Sequence, residues 1–258
     1  MNRSWLNKSD LAILNRKSLR FNLAEAEKDY FLAVVSRMIY RSPLKDKLVF
    51  KGGTAIHHCY LAQSRFSEDL DFTSVDPSLV LDEIRDVFLP ADFFEIKDEH
   101  VSKATIRIDR LKYRGPLGLP NSLKIEVDCM QNVVLPAKKM PYKNAWKIRT
   151  HVMVMDEREI CAEKIRAASD RSRYRDFYDL YLMRKQFQFD MKEVVWLVRQ
   201  KEIRRPISKE SMLRNFSNAA VEREQELSRV YYAHEIDGKE IEVMIKDLPI
   251  TGSIQPGD

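Results

Sequence analysis

Glycine is scarce in this sequence, at 7 of 258 residues. Architectures that need glycine throughout, such as the collagen helix, are therefore excluded. No hydrophobic run approaches the ~20 residues that a membrane-spanning helix requires. The N-terminal residues also lack the apolar segment of a secretory signal, so the sequence predicts a soluble protein.

Cysteine is rare as well. The three cysteines, Cys59, Cys129 and Cys161, are odd in number and far apart, and no two form a Cys-x-x-Cys pair. This usage argues against a disulfide framework and against a cysteine zinc site, and it is typical of a reducing compartment. We therefore predict a cytoplasmic location.

Positive charge is concentrated in the first part of the chain. Residues 1–150 carry 25 Lys and Arg against 19 Asp and Glu, whereas the remainder carries 19 against 20. Each local group of basic residues is either a solvated surface or a surface that attracts polyphosphate or nucleic acid. Three such groups stand out, at 103–114, 138–149 and 164–175.

The spacing of apolar residues predicts a mixed α/β region followed by helices. Helices are predicted at 23–41, 54–62, 78–88, 156–168, 174–187, 190–200 and 208–230. Strands are predicted at 48–50, 69–73, 92–98, 102–110 and 122–128. The last two strands are joined by RGPLGLP, whose glycines and prolines indicate a hairpin-like return.

A strand-to-helix turn and a pair of aspartates carry the chemistry. Gly52, Gly53 and Thr54 follow the strand at 48–50, and glycine lets a backbone approach a ligand closely. Asp69 and Asp71 lie two residues apart on a strand, so both side chains point to one face. Adjacent carboxylates repel each other unless a cation lies between them, and Mg²⁺ or Mn²⁺ prefers oxygen ligands. Taken singly, the glycines also suit an ordinary turn.

A third carboxylate is available on the strand at 122–128. Lys124, Glu126 and Asp128 share its polar face. If this strand lies beside 69–73 with the apolar faces matched, Asp128 falls on the side of Asp69 and Asp71. Glu126 is a competing candidate, and both are alternatively exposed strand residues. Three carboxylates there would suit a two-metal site for phosphoryl transfer.

The segments KGGTAIHHCY and RFSEDLDF resemble the signature of the AbiEii/AbiGii toxin family, a branch of the polymerase-β-like nucleotidyltransferase superfamily. Two later blocks agree with it, AEKIRA at 162–167 and YRDFYDL at 174–180. The resemblance covers about residues 48–182. It implies an α/β (α+β) fold with a polymerase-β-like nucleotidyltransferase core and mixed sheet in residues 1–150. A C-terminal helical domain in residues 151–258 would complete the active-site cleft.

The resemblance also implies an activity. The expected reaction is metal-dependent transfer of a nucleotide from an NTP to an acceptor, with release of pyrophosphate and with Mg²⁺ or Mn²⁺ as cofactor. The expected setting is a bacterial toxin–antitoxin or abortive-infection system, with a cognate antitoxin protein encoded nearby. The implied acceptor is RNA, namely the 3′ end of tRNA, and the donor is left open among ATP, CTP, GTP and UTP.

Site residues follow from the matched motifs. Gly53 and Thr54, with Gly52 in the same turn, would handle the NTP phosphates, and Lys164 would contact the triphosphate. Catalytic roles fall on Ser67, Asp69, Asp71, Lys164 and Asp176, and the metal ligands would be Asp69, Asp71 and Asp128.

Several of these roles have alternatives. Lys164 borders an apolar helix face, where a lysine either extends its ammonium to water or points at an anion in a cleft. Asp176 is either catalytic or structural, pairing with Arg173 or capping its helix. His57 and His58 are neighbours on a helix, point about 100° apart and are not expected to chelate one metal.

Two other functions remain open at this stage. The same core could modify protein hydroxyls or a small molecule. The chain could also be a non-catalytic module that binds NTP or a partner, although Asp69, Asp71 and Lys164 together argue against it.

Overall fold

The computed structural model describes residues 6–229 and 231–256. The chain forms two compact units. The first unit runs to Val133 and also takes in Ala137–Val154. The second unit comprises Val134–Pro136 and the chain from Met155 onward.

The first unit contains four helices among the described residues. They are α1 (Lys8–Lys17), α2 (Leu23–Ile39), α3 (Gly52–Ala55) and α4 (Leu81–Phe88). Its strands are β1 (Leu48–Lys51), β2 (Asp69–Ser74), β3 (Phe94–Val101), β4 (Thr105–Arg114), β5 (Pro120–Asp128), β6 (Lys138–Pro141) and β7 (His151–Val154).

These seven strands form one mixed sheet in the order β3-β4-β5-β2-β1-β7-β6. Strand β2 is antiparallel to β1 and parallel to β5. The predicted return between β4 and β5 is confirmed, because the two strands pair antiparallel. The predicted mixed sheet is therefore confirmed.

The alternation of side chains decides which face of the sheet is buried. Leu70 and Phe72 of β2 and Ile125 and Val127 of β5 are at most 1 % exposed, and they share the face on which α2 packs. Burying such apolar side chains is the main favourable contribution to folding. The opposite face of β2 and β5 carries the polar residues between them, among them both aspartates of β2.

Some elements differ from the sequence-based predictions. The predicted helix at 54–62 is one α-helical turn, α3, followed by a π-helix at Ile56–Tyr60. The short strands β6 and β7 and the helix α1 were not predicted. Strand β7 at His151–Val154 pairs with β1, so the first unit extends past residue 150.

Within the described residues, the second unit contains five helices and two short strands. They are α5 (Glu157–Asp170), α6 (Tyr174–Gln186), α7 (Met191–Arg199), β8 (Ile207–Ser208), α8 (Lys209–Arg229), α9 (Gly238–Lys246) and β9 (Ser253–Ile254). Asp156 and Asp190 cap α5 and α7 by accepting from backbone amides of the first turn. Residue 230, the predicted end of the fourth C-terminal helix, lies outside the described residues. In the part of the chain that the structure describes, no helix is long and apolar enough to span a bilayer.

Candidate active site

The glycine turn joins β1 to α3. Gly52 has φ +75°, a conformation that glycine adopts without strain. The Thr54 hydroxyl is buried and hydrogen-bonds the carbonyl of Asp69 at 2.5 Å and the hydroxyl of Ser67 at 2.9 Å. Thr54 and Ser67 therefore fasten the turn to the start of β2, and the side chain of Thr54 is occupied in this role.

Replacement of Gly52 by alanine tests how closely the turn approaches the carboxylates. A Cβ at Gly52 would overlap the carboxylate of Asp71, whereas a Cβ at Gly118, with φ +74°, would meet nothing within 4 Å. We expect both alanine variants to lose about 1 kcal/mol of stability through backbone strain. Only Gly52→Ala should slow nucleotidyl transfer, by roughly tenfold or more, because it displaces Asp71. Equal transfer rates in the two variants would contradict the close approach.

Asp69 and Asp71 project from the polar face at the first residues of β2, as the sequence predicts. The pKa of Asp71 is raised from 3.8 to about 6. Burial is the largest cause, and the negative charges of Asp69 and Glu126 contribute against the opposing charges of Lys51 and Lys124. Negative charge therefore remains poorly neutralised at this point of the sheet.

Glu126 and Asp128 occupy different positions relative to this pair. In the parallel ladder of β2 and β5, Asp71 is the register partner of Glu126, whereas Asp128 is the partner of Thr73. The Asp128 carboxylate lies 3.4 Å from Lys51 Nζ and accepts backbone amides of Met130 and Gln131 at 3.0 Å.

The surroundings of Asp128 also keep it charged. Burial alone would raise its pKa, but Lys51 and the two backbone amides outweigh burial and hold the pKa below its usual value. Asp128 thus terminates β5 in a turn and pairs with Lys51. Glu126 is the carboxylate whose charge reaches Asp71, although Lys124 lies 2.5 Å from it on the same strand.

Paired substitutions on β5 distinguish these two carboxylates. We expect Glu126→Gln to lower nucleotidyl transfer roughly hundredfold and Asp128→Asn to lower it less than about fivefold. Asp128→Asn should instead cost about 1 kcal/mol of stability, because the ion pair between Lys51 and Asp128 is lost. Initial rates and denaturant midpoints of both variants provide the measurement. The reverse order of rates would make Asp128 the third carboxylate.

A divalent cation fits the donor set at the start of β2. The candidate ligands are carboxylate oxygens, which Mg²⁺ and Mn²⁺ prefer, and a cation would relieve the repulsion that raises the pKa of Asp71. Among the described residues, no three Asp, Glu, His or Cys side chains already form a complete set of metal ligands.

Lys164 and Asp176 belong to a buried ionic cluster in the second unit. Lys164 Nζ on α5 lies 2.8 Å from both Asp176 and Asp179 on α6. Arg171 Nε donates to Asp176 at 2.8 Å. Burial would raise the pKa of Asp176, but Lys164 and Arg171 outweigh it and hold the pKa well below its usual range. The ammonium of Lys164 is thus buried and lies between the carboxylates of Asp176 and Asp179, and it does not extend to water.

Sequence reasoning missed two side chains near the turn. Lys51, the last residue of β1, is 7 % exposed and pairs with Asp128. Arg65 is 2 % exposed, and its guanidinium lies against Gly53 and Ser67 while Nη1 donates to the carbonyl of Phe66 at 3.0 Å. Both lie inside the quoted motif blocks, but only the fold shows what they contact.

The two histidines are core residues. His57 and His58 are at most 1 % exposed, and His58 lies between Asp29 and the carbonyl of Lys143.

Solved structures with a similar fold are nucleotidyltransferases. MenT4, a nucleotidyltransferase toxin from Mycobacterium tuberculosis, is 23% identical over 73% of this chain and 68% of that chain, with a TM-score of 0.60. A protein from H. pylori assigned as a nucleotidyltransferase is 18% identical over 88% and 94% of the two chains, with a TM-score of 0.54. At these identities the likeness shows the fold. No curated protein sequence matches the chain.

The seven-stranded mixed sheet thus belongs to a fold that proteins named as nucleotidyltransferases share. The family model described as "Nucleotidyl transferase AbiEii toxin, Type IV TA system" matches residues 33–244. The chain therefore belongs to the AbiEii family and is a toxin nucleotidyltransferase of a type IV toxin–antitoxin system, which implies an NTP substrate and a cognate antitoxin.

Proposed function

We propose that this toxin transfers nucleotides from an NTP to the 3′ end of an RNA, with tRNA as the acceptor, and acts in the cytoplasm with Mg²⁺ or Mn²⁺. The observation that supports the proposal best is the carboxylate pair, Asp69 and Asp71, held against the glycine turn with excess negative charge. A carboxylate pair beside a turn that a phosphate can approach suits a metal–triphosphate substrate.

The residues of the first unit have distinct proposed roles. Gly52 and Gly53 let the turn lie against Asp71 and Arg65, and the Thr54–Ser67 contact keeps the turn against β2. The backbone of this turn would bind the triphosphate. Asp69 and Asp71, with Glu126 as the third carboxylate, would hold the metal, which supplies charge compensation at the α-phosphate and lowers the pKa of the acceptor hydroxyl. The acceptor oxygen forms a bond to the α-phosphorus, the bond to the β-phosphate oxygen breaks, and pyrophosphate leaves.

Lys164 and Asp176 are proposed as the triphosphate lysine and its carboxylate partner. The support is the match of both residues to the family motifs and the 2.8 Å ion pair that fixes the ammonium. Asp179 lies equally close to Lys164 and would position it.

Labelling with each NTP in turn tests the proposed function. Purified protein is incubated with total bacterial RNA, Mg²⁺ and one α-³²P-labelled NTP, beside Asp69→Ala and the control Asp109→Asn. Asp109 is an aspartate of β4 that pairs with Arg107 at 2.7 Å. Label in one RNA size class, lost only in Asp69→Ala, supports RNA as acceptor and identifies the donor.

Other outcomes would change the proposal. Label on protein but not on RNA would replace the RNA acceptor with protein hydroxyls. Label on a small molecule would exclude RNA in the same way. Failure of the protein to bind any NTP in the presence of Mg²⁺ would contradict the proposed reaction.

A further inference from the structure

The three basic groups in the sequence differ in how much of their charge is neutralised within the fold. In the group at 103–114, Arg107 pairs with Asp109 at 2.7 Å and Arg110 pairs with Asp98. In the group at 164–175, Lys164 and Arg171 pair with carboxylates of α6. Each of these two groups therefore has part of its charge neutralised within the fold.

The group at 138–149 differs from the other two in the surroundings of its exposed cations. The 27 residues from Cys129 to Met155 contain five Lys and Arg but no Asp or Glu. Four of these cations have exposed side chains and, among the residues that the structure describes, no carboxylate within 4 Å. They are Lys139, Lys143, Lys147 and Arg149, and we refer to them as the cationic strip.

The backbone that carries the strip is held in one conformation. Trp146 is 3 % exposed and donates from Nε1 to the buried Asp29 at 2.6 Å. The side chain of Asn144 accepts the amides of Trp146 and Ile148 and donates to the carbonyls of Tyr142 and Ile148, at 2.8–3.1 Å. Charges presented by a pinned loop lose little freedom when a ligand binds.

The strip follows the edge of the sheet. Strand β6 is an outer strand, three strands from β2 and hence roughly 14 Å from it at ~4.8 Å per strand. Lys138 pairs in register with Val154, which itself pairs with Phe50 just before the glycine turn. Strand β6 begins at the end of the sheet where the glycine turn lies and runs to the opposite end, where the loop at 142–150 follows it. Lys139 lies on β6, and the other three cations of the strip lie in the loop that follows this strand.

We propose that the cationic strip binds the phosphodiester backbone of the RNA acceptor. Exposed lysine and arginine side chains without carboxylate partners suit a polyanion such as RNA, because each neutralised phosphate releases counterions. The inference rests on the proposed function, since RNA is the polyanion that this function requires. The edge strand and its loop carry the acceptor, and the carboxylates of β2 act on its end.

Binding of fluorescein-labelled total bacterial tRNA, measured by anisotropy across a salt series, tests the strip. We expect the triple variant Lys143→Gln, Lys147→Gln and Arg149→Gln to bind roughly ten- to hundredfold more weakly at 0.1 M salt. The slope of log affinity against log salt should fall by about 2. Replacing Lys143 and Lys147 by arginine should preserve binding, because the charge is retained.

A matched control removes the same number of charges from ion-paired positions. In the variant Lys97→Gln, Arg107→Gln and Arg110→Gln, each replaced cation has a carboxylate partner. It should bind tRNA within about threefold of the unmodified protein. Equal losses in the two triple variants would show a net-charge effect and overturn the assignment to the strip.

Nucleotide binding separates this inference from the proposed function. Mg²⁺-dependent NTP binding should be unchanged in the strip variant. If that variant bound tRNA normally and still labelled RNA from NTP, the proposed role of the strip would be contradicted and the proposed function would stand. If poly-L-glutamate rather than tRNA lost affinity in the variant, the partner would be an acidic protein. If the unmodified protein bound NTP but no tRNA, both the proposed RNA acceptor and the proposed RNA binding by the strip would be contradicted.

Discussion

Replacing Asp71 with asparagine should abolish nucleotidyl transfer while making the folded protein more stable above pH 6. Under the proposed function Asp71 holds the metal, so its loss should remove several kcal/mol of transition-state stabilisation, which corresponds to about 10³-fold in rate. The gain in stability follows from the same side chain, because its ionised form is held in a half-buried place beside Asp69 and Glu126.

The pH dependence of stability gives this prediction its sign. The folded protein raises the pKa of Asp71 from 3.8 to about 6, so between these values the folded state binds more protons than the unfolded state. The free energy of unfolding of the unmodified protein therefore falls as pH rises from about 4 to 6. Above pH 6 this loss of stability does not grow further. Asparagine carries no charge, so Asp71→Asn should be more stable by on the order of 1–2 kcal/mol at pH 7.5 and should match the unmodified protein near pH 4.

Denaturant titrations at pH 4, 6 and 7.5 in the presence of a chelator measure this difference. Added Mg²⁺ should then stabilise the unmodified protein and not Asp71→Asn, by about 1.4 kcal/mol at tenfold excess over the dissociation constant. Asp109→Asn removes a carboxylate from β4 and should retain transfer and the response to Mg²⁺. A variant Asp71→Asn that is less stable than the unmodified protein at pH 7.5 would contradict the proposed excess of negative charge.

Local sequence signals predicted the elements that carry the site. The helices α5, α6 and α7 begin within two residues of their predicted starts, and two of them begin at aspartate caps. The alternation in DLDFT predicted which side chains of β2 are polar and which are buried. The strands β6 and β7 have four residues each and were missed, because so short a segment shows no clear period.

The third carboxylate was not predictable from local pattern. Alternation places Glu126 and Asp128 on the same face of β5, but the two differ by one repeat along the strand. Which of them lies beside Asp71 depends on the register of a parallel pair whose members are about fifty residues apart in sequence. That register is set by packing of the whole sheet, which a single strand does not encode.

Ion pairs between distant residues were equally hidden in the sequence. From the sequence alone, the group at 103–114 resembles an unpaired basic surface. In the fold, β3 pairs with β4 and places Asp98 beside Arg110. The sequence places Lys164 at the border of an apolar helix face, and only the fold shows that two aspartates of α6 lie beside it. Charge patterning therefore indicates where cations lie along the chain, and the fold decides which of them stay uncompensated.

Lys164→Met should both destabilise the second unit and abolish transfer. Removing the ammonium leaves the buried Asp176 and Asp179 without their shared cation, and breaking a buried pair costs about 3–5 kcal/mol. The low pKa of Asp176 means that this stabilisation is present above pH 4 and is lost as pH falls further. The stability difference between the unmodified protein and the variant should therefore narrow on acidification.

A second buried lysine of the same unit separates stability from chemistry. Lys201 is fully buried and pairs with Glu159 and, at 3.6 Å, with Glu163. Lys201→Met should cost a similar 3–5 kcal/mol. At a temperature where both variants remain folded, Lys201→Met should retain transfer per folded molecule and Lys164→Met should not.

The double variant Lys164→Met, Asp179→Asn should regain part of the stability without regaining transfer, because one uncompensated charge is removed and the ammonium is still missing. Recovery of transfer in the double variant would limit Lys164 to a role in folding.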